Sequence, residues 1–190
     1  MRAIRRFFTK VRPLRRVFFL SNYILAYPFE FIGIAAIGQY NAYGSGSNHL
    51  CLHNNPQFPP NVQSGSQSHS YIYGVEYERA HSRLISSALQ DDDVPCAVCE
   101  VARSESIMIP GRRTCPDTWT VEYEGLIMAS QSANRKGEFI CVSLGMEASG
   151  SSSNHGGGLL YVTEVQCGSL PCSTGGYASG FELSCVVCSK

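Results

Sequence analysis

Charge is scarce in this sequence: Asp, Glu, Lys and Arg make up 16% of its 190 residues, and there are only four Met and a single Trp. So little charge beside 44% apolar residues argues against a disordered chain, and 18 Gly with 9 Pro argue against a helical bundle. Cations become scarcer still past the start. Seven of the fifteen Lys and Arg (Arg2, Arg5, Arg6, Lys10, Arg12, Arg15 and Arg16) fall in the first sixteen residues, which contain no acid. The other eight are set against fifteen Asp and Glu, a formal charge of −7. Phosphate contacts need clustered cations, so nucleic acid is not an expected partner.

An uninterrupted apolar run is also lacking. Val17–Leu20, Tyr23–Tyr27 and Ile32–Ile37 are separated by Asn22, Pro28 and Glu30, so no stable membrane span is expected. A basic start, an apolar stretch and small residues near Ala36 and Gly38 make residues 1–38 a candidate secretory signal, with Gly38 as the cleavage point. Two other readings stay open. Glu30–Ala36 lays beside Glu122–Met128 as if it were a first strand, and a membrane anchor is the third alternative.

Catalytic constellations are missing as well. His49, His53, His69, His81 and His155 lie scattered in polar loops without a nucleophile or carboxylate pattern, and read as surface histidines. Gly156-Gly157-Gly158 and Gly44-Ser45-Gly46 lack the Lys and the strand-to-helix context of a phosphate cradle. Asp91-Asp92-Asp93 lacks the alternating spacing and Gly of a dedicated Ca²⁺ loop, and reads as a solvated turn. Glu76 and Glu78, like Glu122 and Glu124, stand two apart on strands and are expected to face solvent. No catalytic residue, metal ligand or cofactor is assigned, and an enzyme is not expected.

What the chain has in quantity is cysteine, nine in all. Cys-x-x-Cys occurs twice, at Cys96–Cys99 and at Cys185–Cys188, and each copy closes a similar succession of features. Cys51 stands 45 residues before Cys96, and Cys141 stands 44 before Cys185. Tyr73 and Glu76 lay on Tyr161 and Glu164 in the same register. Alternation at Tyr71, Tyr73, Val75 and Tyr77, at Trp119, Val121 and Tyr123, and at Leu159, Tyr161, Thr163 and Val165 predicts strands; Ser82–Leu89 is the candidate helix. The expected fold is mainly β, two pseudo-symmetric disulfide-linked lobes from an internal duplication, with little helix. The N-terminal segment would span 1–38, the first lobe 39–104 and the second 105–190.

Zinc on the two Cys-x-x-Cys pairs is the rival reading of the cysteines. Their separation far exceeds ribbon spacing, and the remaining cysteines would go unexplained. A redox role lacks its βαβ context. Disulfides are favoured, each bridge across a loop of about 45 residues contributing roughly 3–4 kcal/mol on the loop-entropy model. Six cysteines in one half permit many connectivities, and an odd total leaves at least one thiol unpaired within a monomer.

The segments Asn48–Leu52, Tyr71–Tyr77, Val94–Cys99, Met108–Arg112 with Thr114–Pro116, Gln166–Cys172 and Cys185–Cys188 together resemble the C-terminal non-collagenous domain of short-chain, spongin-type collagens. More distantly, the duplicated layout is similar to the paired repeats that end type IV collagen chains. The resemblance implies pairing of Cys51 with Cys96, Cys115 with Cys188, Cys141 with Cys185, and Cys167 with Cys172. It leaves Cys99 a free thiol, because Tyr23 occupies the place of its partner. It implies a secreted, non-enzymatic matrix domain whose partners are other copies of itself or collagen-type chains. The chain departs from the pattern in having no Gly-x-y tract and no Thr-Cys-Pro opening in the first half. A secreted ligand-binding module, lectin-like or immune-related, using the loops Asn54–Ser70 and Ser149–Gly158, is the alternative.

Overall fold

Short runs of β-branched and apolar residues broken by Gly, Pro and Ser cannot sustain helices, and they fold as strands. The computed structural model describes residues 16–18, 29–60, 65, 69–79, 82–101, 103–150, 154–172 and 174–190. Among them are β1 (Arg16–Phe18), β2 (Phe29–Ile37), β3 (Leu50–His53), β4 (Tyr73–Glu78), β5 (Pro95–Cys99), β6 (Ser106–Pro110), β7 (Thr120–Ala129), β8 (Ile140–Ser143), β9 (Gly158–Val162) and β10 (Ser184–Ser189). The pairing path runs β1-β5-β2-β4-β9-β7-β10-β6, with β3 added to β2 and β8 to β7. The protein is mainly β.

The expected helix at Ser82–Leu89 is reduced to a single 3-10 turn, Ser87–Leu89. Its serines account for this: Ser82 Oγ accepts the Leu84 N–H and Ser86 Oγ the Ala88 N–H, local bonds that compete with a helical ladder.

The two halves repeat their pairings. β2 lies between β3 and β5 as β7 lies between β8 and β10, and β1 on β5 matches β6 on β10. Single bonds repeat too. Ala35 donates to Val94 and Ile127 to Leu183; Val94 donates to Val75 and Leu183 to Thr163; Tyr77 donates to Asp92 and Val165 to Phe181. The halves meet at a parallel pair, β4 with β9, where Val75 stands beside Gly158. By the other pairings Val75 corresponds to Thr163, five residues further on. One half is therefore slipped along the other by about 16 Å at the usual rise per strand residue, and a strict two-fold relation is lost.

The halves also share their interior. One core cluster joins Ala35, Val75, Tyr77, Ile85, Leu89 and Val94 to Leu126, Met128, Ile140, Val142 and Leu160. The second joins Ala97, Cys99 and Val101 to Tyr123, Ile127, Cys141, Cys185 and Val187. The boundary between 104 and 105 thus divides a repeat and leaves no separate core on either side. Of the readings left open for residues 1–38, β2 realises the first strand: it is an interior strand whose Ala35, Ala36 and Ile37 are buried, and cleavage at Gly38 would remove it. Residues 29–37 belong to the first half.

Candidate assembly surface

The site is built around two glycines. Gly33 on β2 pairs with His53 on one edge and Cys96 on the other, and Gly125 on β7 pairs with Ser143 and Cys185. Strands on opposite edges of a third lie about 9–10 Å apart in a flat sheet. Yet the Cα atoms of Cys51 and Cys96 are 5.8 Å apart, as are those of Cys141 and Cys185, and each pair is disulfide-bonded. The outer strands therefore roll toward each other over the middle one. The roll presses backbone against backbone at the glycine: a Cβ on Gly33 would meet the Leu52 carbonyl oxygen, and one on Gly125 that of Val142.

Two further bonds complete the framework, Cys115 to Cys188 and Cys167 to Cys172. Three of the four Cys-x-x-Cys sulfurs are thereby in disulfides, which rules out a shared thiolate zinc site. Cys99, the counterpart of Cys188, is a free thiol, buried in the second core cluster. Burial, and then the Glu122 carboxylate, push it up to about 11. A thiol so placed is a poor nucleophile. Tyr23 lies outside the described residues.

The acids and histidines depart furthest from expectation. His49 is only 2% exposed, and burial lowers it to about 4. His53 is exposed and stacks on Phe31 at 4.9 Å between ring centroids. His69 and His155 are exposed, and His81 lies outside the described residues. Glu122 is buried, where Arg103 reaches it at 3.0 Å and the Ser189 hydroxyl donates to it. Its neighbour Glu124 is part-exposed and pairs with Arg113 at 2.9 Å. Glu76 is buried, lying between Leu159 of β9 and a bridge to Asp93, and its Oε1 accepts the His155 N–H. Glu78 is partly covered; burial and the nearby Asp91 and Glu76 raise its carboxyl, while the Gln90 amide lowers it. Asp92, expected in a solvated turn, is buried and accepts the Ser149 N–H at 2.7 Å and its hydroxyl at 3.1 Å. Pattern alone missed Asp92 and Glu76 because the groups that bind them, Ser149 and His155, come from the other half.

The repeat also exposes a surface. Because Cys51 corresponds to Cys141, Leu50 and Leu52 on β3 correspond to Ile140 and Val142 on β8. Ile140 and Val142 are 0% exposed, whereas Leu50 and Leu52 are 36% and 42% exposed. Ile140 and Val142 lie in the core cluster that Ile85 and Leu89, from the connection between β4 and β5, help complete. The matching connection of the second half, between β9 and β10, leaves Leu170, Tyr177 and Phe181 exposed. Among the described residues β3 pairs with β2 alone, and no helix is long and apolar enough to cross a membrane.

Compared with protein-family models, the sequence matches none. Nor does any curated protein match it.

Proposed function

We propose that this chain is a secreted structural module of extracellular matrix, of the kind that ends short-chain, spongin-type collagens, and that it works by binding further copies of itself. The observation that carries the reading is the exposure of Leu50 and Leu52 at positions whose counterparts are fully buried. Within one chain, the connection after β4 helps cover β8. Among the described residues the connection after β9 leaves Leu170, Tyr177 and Phe181 exposed, and β3 of a second copy offers them a partner. Such a contact is head-to-tail, so successive copies close into a ring or run on as a filament. Internal duplication is supported by the repeated hydrogen bonds, and an oxidising compartment by four disulfides.

The test is the mass of the full chain in solution, by light scattering across a concentration series, for the native sequence and for Leu52→Asp. The native chain should exceed monomer mass. The variant should weaken association at least about tenfold, since a buried Leu is worth about 1.5–3 kcal/mol, with its circular dichroism unchanged. A native chain that stays monomeric at all concentrations, alone and with collagen-type chains, would sink the reading.

A further inference from the structure

A second feature, independent of assembly, lies where the two halves meet. Glu76 and Glu78 stand two residues apart on β4 and so share a face. Asp91 is carried up to them by a bond from its own N–H to the Tyr77 carbonyl. One carboxylate oxygen from each of the three lies within 4.8 Å of the others. Among the described residues no Lys or Arg forms an ion pair with any of them. The nearby cationic side chain, Arg79, spends its Nε on the Ser82 carbonyl. Gln90 supplies the neutral contacts, its amide donating to Glu78 at 2.6 Å and to Asp91 at 2.9 Å.

Crowding of acids alone would mean little, but Glu76 adds a second observation. It is 2% exposed; its Oε1 accepts the His155 N–H at 3.0 Å, and among the described residues its Oε2 has no hydrogen-bond partner. A buried carboxylate oxygen left without a partner costs stability, and the cost rises when two more carboxylates face it. A cation would remove both penalties.

We infer that Glu76, Glu78 and Asp91 form a binding site for a hard divalent cation of the calcium class. An all-oxygen donor set excludes metals that prefer sulfur or imidazole. Ca²⁺ takes oxygens at about 2.3–2.6 Å, so opposite ligands lie up to about 5 Å apart, which matches the spread of these three. Mg²⁺ needs a near-ideal octahedron at about 2.0–2.1 Å, which suits this irregular trio less well. The site belongs to one half only: the counterpart of Asp91 is Gly180, and that of Glu78 is Gln166. Glu78 is paired with Tyr161 of β9, and Glu76 holds the loop that leads into β9. A bound cation would therefore clamp the second half onto the first.

The experiment uses the full oxidised chain stripped by chelator, with CaCl₂ or MgCl₂ as the probe, read by calorimetric titration and by thermal midpoint. Ca²⁺ should bind at one site per chain and raise the midpoint by several degrees, with Mg²⁺ at least tenfold weaker. Asp91→Asn, at the cluster's accessible side, should weaken Ca²⁺ binding at least tenfold, and Glu78→Gln should do the same. Without the cation both variants should melt no lower than the native chain, because a repulsion has been relieved. No heat and no shift at millimolar Ca²⁺, or a shift that both variants retain, would overturn the site. Preference for Mg²⁺ would overturn the calcium assignment.

Discussion

At the scale of single residues, titratable groups are where this protein departs from surface chemistry. His49 is held neutral by burial, at about 4 against an ordinary value of 6.5. The unfolded chain therefore takes up the proton first as pH falls. The stability that His49 contributes is fully present above pH 6.5 and is lost progressively down to about pH 4, by about 3 kcal/mol in total. Denaturant midpoints measured from pH 7 to pH 4 should fall steeply for the native chain and more shallowly for His49→Gln. Equal slopes would mean that the imidazole is not shielded. Asp92 and Glu122 teach a related lesson. Each is a carboxylate buried with a named donor, Ser149 in one case and Arg103 in the other, and neither donor is a near neighbour in sequence.

At the scale of elements, the three-strand roll is the unit that both halves build. Its geometry forces glycine at the centre, since a Cβ at Gly33 or Gly125 would meet a backbone carbonyl that the disulfide keeps from retreating. Gly33→Ala and Gly125→Ala should each cost about 3 kcal/mol or more, seen as a loss of denaturant midpoint with both disulfides intact. Gly44→Ala, where a Cβ would meet nothing within 4 Å, is the control and should be near neutral. If all three behaved alike, the close approach of the rolled strands would be wrong. The Gly156–Gly158 run gains its explanation here too. Gly157 lies against the Gly74 carbonyl and Gly158 against Ile37, so this run lets β9 approach β4, and no phosphate chemistry is needed to account for it.

At the scale of the whole molecule, the interior is common property. Val75, Tyr77 and Val94 share a cluster with Ile140, Val142 and Leu160, while Ala97 and Val101 share another with Tyr123 and Val187. Neither half can bury its apolar face alone. The oxidised chain should therefore unfold in one cooperative transition, with far-ultraviolet and tyrosine signals coincident. A fragment of residues 105–190 should lack a sigmoidal melt even with its three disulfides formed. An independently melting fragment would restore the picture of two lobes. Thermodynamically the disulfides act on the same whole, since three of them close loops of 44 to 73 residues and the fourth a loop of five.

The strand-rich class and the two-fold recurrence of landmarks were legible in the sequence alone. These are local signals, written in alternation, turn residues and cysteine spacing, and they need no knowledge of what lies on the far side of the sheet. Tertiary structure alone decided that β2 is interior, that the halves are slipped and share their cores, that Leu50 is exposed while Ile140 is buried, and that three carboxylates converge at the junction. The reason is physical: burial is set by what packs against a residue, and for Ile140 and Asp92 the covering groups come from the other half of the chain.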